Sequence, residues 1–239
     1  MKKRIFRILA VALTVILLTV CISSAVASYI PPVTISKILD MAEYHTSGRG
    51  ACGPCSGVSI GQYYRDEHQP KYSLLPDPNS EMYDALYEYM GSSTWPYLYG
   101  YWFCRMTEDS GYGSSVFNYV RDLSIDDADT SPADGIPDCF AAVVNAINND
   151  WPVAMNGQFD DDGGLIDPGN GNGNWPTEGH FWAIRGYSYR ITFYGGGVQF
   201  RDFRIICTDS YSGADDEVLD WNYLVENNDH MGTIIIKDD

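Results

Sequence analysis

Basic side chains are scarce in this chain of 239 residues. It has 15 lysines and arginines against 32 aspartates and glutamates, which gives a formal net charge of −17 at pH 7. A surface this acidic repels the phosphate backbone of DNA and RNA, so the composition argues against nucleic acid as a partner. The charge favours a protein that stays soluble outside the cell.

The sequence also has an apolar run near its start that is too short to span a membrane. The run covers residues 8–22, which is 15 residues, whereas a spanning helix needs about 20. It follows three basic residues among the first four and precedes Ala25-Val26-Ala27, the order typical of a secretory signal peptide. We therefore expect residues 1–27 to be removed and the protein to be secreted. A retained membrane anchor is the alternative.

Cleavage would leave residues 28–239 as a still more acidic chain. The removed segment holds four of the 15 basic residues and none of the 32 acidic ones, so the formal charge would become −21. The remaining 212 residues are rich in aromatics and can bury one substantial core, which indicates a single domain. No stable membrane insertion is expected after cleavage.

Cysteines are few, and their number in the expected mature chain is odd. Five remain, at positions 52, 55, 104, 139 and 207. In an oxidising compartment an odd number leaves at least one thiol unpaired, unless a bond joins two chains. The sequence therefore predicts one thiol outside any disulfide.

Helical patterns come first along the chain and strand patterns follow. The sequence predicts helices over about 53–64, 80–90, from Ser114 or Ser115 through Leu123, and 139–149, with residues 92–113 irregular. Strands are predicted at 151–155, 180–184, in a hairpin of 187–194 with 198–208, and at 233–237, after a short helical stretch at 218–224. This order indicates an α+β fold, with N-terminal helices packed on a C-terminal antiparallel β-sheet.

Two further features of the pattern call for a physical reason. Gly57 and Gly61 lie four apart in the first predicted helix, where each costs about 1 kcal/mol of helix propensity relative to Ala. Close packing against another element is the expected reason. The acidic loop 126–138 offers carboxylates for calcium, but Pro132 stands where an EF-hand loop needs Gly. A metal-free surface loop is preferred, with calcium as the alternative.

The strongest chemical signal is the thiol of Cys52. Gly53-Pro54 follows it at once, and proline is tolerated in a helix only at the first turn, where N–H groups have no partner. Cys52 is therefore predicted to begin a helix. The partial positive charge of a helix N-terminus lowers the pKa of a thiol, which suits a nucleophile.

A cysteine nucleophile needs a base and an acceptor that orients this base. His180 starts a predicted strand after the long polar loop 160–178, and Asp209 stands just past a later strand. His180 lies 128 positions after Cys52, and Asp209 lies 29 further on. Their order and spacing are close to the Cys, His, Asn order of papain-like enzymes. Three other histidines compete for the role of the base: His45, His68 and His230.

These residues carry a resemblance to a known family. The motifs are Cys52-Gly53-Pro54 with Tyr63-Tyr64 beyond it, Trp151-Pro152-Val153, Gly179 through Tyr187, and Thr208-Asp209-Ser210. In order and spacing they resemble the papain-like cysteine peptidases related to the double-glycine peptidases that process bacteriocins. The likeness spans most of the chain from about Gly50, and the combination of motifs is what makes it specific.

The resemblance implies a papain-like fold and the hydrolysis of peptide bonds through a thioester. It implies Cys52 as the nucleophile, His180 as base and acid, and Asp209 as the group that orients the imidazole. Peptides or proteins would be the substrates, and no cofactor is implied. Such enzymes commonly carry a Gln shortly before the cysteine, and residues 40–51 contain none. Other oxyanion donors are then needed: Thr46, Ser47 or the backbone N–H of Cys52.

Cys55 is the alternative nucleophile, because papain uses the second cysteine of a Cys-Gly-x-Cys pair. Papain follows this cysteine with Trp, whereas Ser56 stands here, and the spacing to Tyr63 favours Cys52. In the favoured interpretation two disulfides join the remaining cysteines: Cys55, Cys104, Cys139 and Cys207. A structural or redox pair of Cys52 with Cys55 stays open.

Two further functions stay open beside the peptidase. The missing Gln and the many Tyr and Trp residues fit a catalytically inactive papain-like domain for extracellular binding or adhesion. A retained thiol with a different acceptor would instead make a thiol amidase or transpeptidase that acts on cell-wall peptides.

Overall fold

The structure is a computed structural model that describes residues 30–45, 52–77, 79–91, 96–112, 117–125, 135–157, 180–194, 197–208, 217–226 and 231–238. Its helices are α1 Cys52–Glu67, α2 Asn79–Met90, α3 Pro96–Asp109, α4 Asp138–Asn148 and α5 Trp221–Glu226. Its strands are β1 Val33–Ile38, β2 Phe117–Ile125, β3 Val153–Gly157, β4 His180–Tyr194, β5 Gly197–Thr208, β6 Glu217–Asp220 and β7 Met231–Asp238.

The seven strands form one antiparallel sheet. Its order is β2-β7-β3-β4-β5-β6, and β1 pairs with β4 outside this path. Every strand pair in the described residues is antiparallel. The predicted α+β class is therefore confirmed.

Strand β4 is the organising strand of the sheet. Its first residues, His180–Ile184, pair with β3, and Gly186–Ile191 pair with β1. The β4–β5 hairpin closes with Tyr194 opposite Gly197, as the glycine run predicts. The strand predicted at 180–184 and the first arm of the hairpin form one strand, β4. Its pairing with β5 shifts register between Ile184 and Gly186. His180 is thus anchored at the start of the most extensively paired strand.

Helix α1 is bound closely by α2, which supplies the expected reason for its two glycines. A Cβ atom at Gly57 would lie 2.9 Å from Cδ1 of Leu86, and one at Gly61 would lie 2.5 Å from Sδ of Met82. Leu86 and Met82 are fully buried. Only glycine lets the two helices approach this far, so the predicted close packing is confirmed.

The prediction of irregular structure at 92–113 is wrong for much of that segment, because α3 occupies Pro96–Asp109. Tyr99, Phe103 and Met106 are buried in it, at the i, i+4, i+7 spacing of one helix face. Neighbouring positions are also aromatic or apolar, so the period is hard to distinguish in the sequence.

The helix predicted from Ser114 or Ser115 through Leu123 is also wrong, since β2 runs there. Phe117 to Asp122 pair with β7 in unbroken register. Local propensity loses here to pairing with the Ile-rich strand β7, whose partners lie more than 100 residues away. The sequence had indicated a purely C-terminal sheet. This is wrong, because β1 and β2, which precede α4 in the chain, also belong to the sheet.

The predicted signal peptide, residues 1–27, lies outside the described residues, and so do residues 126–134 of the acidic loop. None of the helices in the described ranges is long and apolar enough to cross a membrane.

We expect Gly61→Ala to lower the free energy of unfolding by up to about 2 kcal/mol. Alanine gains up to about 1 kcal/mol of helix propensity, but overpacking against buried Met82 costs about 1–3 kcal/mol. Urea unfolding followed by circular dichroism measures the difference. In a Met82→Ala background the clash is absent, so Gly61→Ala should there be neutral or stabilising. An equal effect of Gly61→Ala in both backgrounds contradicts this account of the packing.

Candidate active site

Cys52 is the first residue of α1, as predicted. Pro54 lies in the first turn of this helix, where its missing N–H costs nothing. The first turn contains no acidic residue, so no carboxylate opposes an anion at this helix end. Cys52 as a residue is half-buried. It is therefore placed where a helix N-terminus favours the thiolate and where solvent still reaches it.

His180 is the first residue of β4 and lies opposite Gly157, the last residue of β3. Its side chain is only 1% exposed. The imidazole meets the indole of Trp182 edge to face, with ring centroids 4.7 Å apart and an interplanar angle of 78°. Trp182 is fully buried, so it fixes one side of the imidazole.

The structure brings Cys52 and His180 together. The Cys52 thiol and the His180 imidazole form a side-chain hydrogen bond, and the backbone N–H groups of Phe181 and Gly53 also donate to the sulfur. Burial raises the pKa of Cys52, but these hydrogen bonds and the charge of His180 outweigh it and leave the pKa below its ordinary value. Three donors around one sulfur, one of them the imidazole of His180, stabilise a thiolate.

Asp209, the third predicted member, lies outside the described residues. Strand β5 ends one position before it, at Thr208. Thr208 lies opposite Ala183 of β4, and its hydroxyl donates to the Ala183 carbonyl at 3.5 Å. The orienting role of Asp209 stays a prediction.

The competing histidines have other neighbours. His68 lies 3.7 Å from a carboxylate oxygen of Asp238 and packs against three tyrosine rings. His45 is exposed and lies 3.9 Å from Glu43. His230 is outside the described residues. Of the described histidines, His180 is the one that contacts the Cys52 thiol.

The sequence did not predict a short chain of hydrogen-bonded, buried side chains close to Cys52. The Ser56 hydroxyl donates to the Gly53 carbonyl at 2.8 Å and lies 2.9 Å from the phenol oxygen of Tyr99. Because the serine proton is used on Gly53, the phenol donates to Ser56. Burial raises the pKa of Tyr99, which keeps this phenol protonated.

Tyr99 also connects this chain to the strand that carries the histidine. Its ring stacks on Phe181 with centroids 5.0 Å apart and an angle of 17°. Phe181 and Gly53 are the two residues whose N–H groups contact the Cys52 sulfur. Tyr99 contacts Phe181 directly and Gly53 through the hydroxyl of Ser56. The spacing of Tyr99, Phe103 and Met106 was the signal that could have identified it, had the segment been read as a helix.

No disulfide joins any of the five cysteines in the described residues. Cys55 and Cys207 are buried, at 2% and 0% exposure. The Cys104 thiol donates to the Phe117 carbonyl at 3.6 Å, and its pKa is raised to about 12, mainly by burial. The two predicted disulfides among Cys55, Cys104, Cys139 and Cys207 stay a prediction.

The described residues contain no group of three or more His, Cys, Asp or Glu side chains arranged to hold a metal ion. Most of the loop 126–138, where calcium was the alternative, is outside them. Thr46 and Ser47, two candidate oxyanion donors, are outside them as well. The backbone N–H groups at the start of α1 are the donors that the structure offers.

The chain matches no protein-family model, and no curated protein is significantly similar to it. The resemblance to papain-like peptidases therefore rests on the motifs quoted above.

We expect iodoacetamide to alkylate Cys52 at a lower pH than an ordinary thiol. Only the thiolate reacts, so a lowered pKa moves the midpoint of the rate below about pH 8.5, the ordinary value for cysteine. Peptide mapping after timed labelling at several pH values measures the midpoint. Cys104, with its raised pKa, serves as an internal reference and should stay almost unlabelled under native conditions.

The same labelling in His180→Gln separates the histidine from the helix. Glutamine removes the ionisable partner and leaves the burial of the thiol unchanged, so the midpoint for Cys52 should move upward, past that of the wild type. A midpoint that is the same in both proteins would show that His180 does not set the pKa of Cys52.

Proposed function

We propose that this chain is a secreted cysteine peptidase of papain-like fold, which hydrolyses peptide bonds through a thioester on Cys52. One observation carries the proposal: the hydrogen bond between the Cys52 thiol, at the start of a helix, and the His180 imidazole, at the start of a strand. A nucleophile within hydrogen-bond reach of a base, here brought together across 128 residues of sequence, is what nucleophilic catalysis requires.

The acylation step follows from this contact. His180 accepts the thiol proton, and the Cys52 sulfur attacks the carbonyl carbon of the substrate peptide. The tetrahedral intermediate collapses when the C–N bond breaks and the imidazolium gives its proton to the leaving amine. The product is a thioester between the Cys52 sulfur and the acyl half of the substrate.

Deacylation uses the same base. His180 takes a proton from water, the hydroxide oxygen attacks the thioester carbonyl, and the sulfur leaves as the thiolate. The thiolate is a good leaving group here because the N–H groups of Phe181 and Gly53 already donate to it. Those donors and the end of α1 make the resting ion pair stable without an added cofactor.

The developing oxyanion needs donors of its own. We assign one to the backbone N–H of Cys52, which belongs to the first turn of α1, where N–H groups have no partner within the helix. Asp209 directly follows the end of β5, and we assign it the predicted role of accepting from the second imidazole nitrogen.

The sequence supports the cellular setting of this proposal. The signal peptide-like residues 1–27 and the strongly acidic composition fit a secreted enzyme whose partners are peptide or protein substrates. The α+β architecture, with the thiol on a helix and the histidine on an antiparallel sheet, is compatible with a papain-like fold.

We expect Cys52→Ala to lower the turnover of a fluorogenic casein at least about 1,000-fold, because loss of a nucleophile removes the covalent route. Turnover is measured on purified secreted protein under a reducing agent. Cys139→Ala, on α4, is the matched control and should keep the wild-type rate. Wild-type turnover that no thiol reagent inhibits, or that Cys52→Ala retains, contradicts the proposal.

The same assay distinguishes the other functions. An inactive binding domain predicts no turnover by the wild type and equal capture of ligand by wild type and Cys52→Ala. A transpeptidase or amidase predicts that an added amine enters the product in place of water.

A further inference from the structure

We propose that Cys52 and Cys55 form a redox-active dithiol, which reacts with low-molecular-weight disulfides and closes to an intramolecular disulfide. Cys55 takes no part in the proposed peptide hydrolysis, so this inference gives it a role of its own. It makes the first turn of α1 a site of reversible modification.

The positions of the two residues carry the proposal. Both lie in the first turn of α1, three residues apart, and therefore on one face of the helix. Helix geometry separates such Cα atoms by about 5 Å, within the range of about 4.4–6.8 Å that disulfides span. The two Cβ atoms must come somewhat closer than in a regular helix, where they are about 5–6 Å apart.

The first turn can make this adjustment at little cost. Its N–H groups have no intrahelical partners to lose, and Pro54, between the two cysteines, has no N–H. The turn is also where the backbone of α1 begins, so a small shift there leaves the rest of the helix in place.

The two thiols have different access to solvent, which sets the order of the reaction. Cys52 is half-buried and holds the stabilised thiolate, whereas Cys55 is 2% exposed. An external disulfide therefore reaches Cys52 first, and Cys55 follows from within. Both cysteines also lie close enough to Tyr99 to add to the rise in its pKa, of which burial is the main cause.

The chemistry balances in two exchange steps. The Cys52 sulfur attacks one sulfur of the external disulfide, which forms a mixed disulfide and releases one thiolate. Cys55 then loses its proton to this thiolate, and its sulfur attacks Cys52 and releases the second thiolate, which takes up the proton that Cys52 gave to His180. The dithiol is oxidised to one disulfide, and the external disulfide is reduced to two thiols.

Disulfide closure ends the ionic interaction of Cys52 with His180, because the sulfur no longer carries a negative charge. The proposal thus makes the reactivity of Cys52 depend on the thiol–disulfide ratio of the surroundings. The redox role also gives a reason for the second cysteine, three positions after the reactive one, which a nucleophile acting alone does not need.

The experiment uses glutathione disulfide on the purified mature protein, followed by trypsin digestion without reduction and mass spectrometry. Arg49 and Arg65 place both cysteines on one tryptic peptide, 50–65. In the wild type we expect this peptide to be lighter by two hydrogens, to carry no glutathione, and to regain iodoacetamide labelling at Cys52 after dithiothreitol.

Three variants make the result specific. Cys55→Ser should keep glutathione on Cys52 as a stable mixed disulfide, because no resolving thiol remains, and Cys55→Ala should do the same if serine disturbs the buried position. Cys139→Ser is the matched control and should behave as the wild type. A wild-type peptide that retains glutathione on Cys52, or a Cys55 bonded to another cysteine, overturns the proposal.

This readout does not depend on peptide hydrolysis. A wild type that closes the disulfide and shows no peptidase turnover would contradict the proposed function and support the redox pair. A wild type that hydrolyses casein and never closes the disulfide would support the proposed function and contradict the redox pair.

Discussion

The hydrogen bond between Cys52 and His180 is the contact on which the functional account of this structure depends. It joins the first residue of α1 to the first residue of β4. The energetics of Cys52 show why the bond matters: burial alone would raise the pKa of the thiol, and His180 with two backbone donors reverses the sign. Without this partner the pKa of Cys52 would be higher.

The rest of the fold holds the start of α1 and the start of β4 in place. Two glycines let α1 approach α2 closely, and β4 is fixed by pairing with β3, β1 and β5. Tyr99 of α3 connects the two parts, since its ring stacks on Phe181 of β4 and its hydroxyl donates to Ser56 of α1. Helix, strand and buried phenol together limit the freedom of the sulfur and the imidazole, which is what a preorganised site requires.

The sequence predicted the parts of this site that depend on local chemistry. Pro54 after Cys52 located the helix start, and the glycine run located the β4–β5 hairpin, because both residues have strong conformational preferences of their own. It failed where distant partners decide the structure. Residues 117–125 form a strand because β7 pairs with them, and the neighbouring sequence does not indicate this pairing. Tyr99 was missed because its helix is so rich in aromatics that one buried face did not stand out.

The central claim is that Cys52 is the nucleophile that the His180 contact activates. Rapid acid quenching of the protein with an activated peptide ester, followed by mass spectrometry, tests it most directly. The account predicts an acyl adduct on peptide 50–65 that maps to Cys52, is lost on treatment with hydroxylamine, and fails to accumulate in His180→Gln. An adduct on Cys55 or on another residue, or none while the ester is turned over, would contradict it.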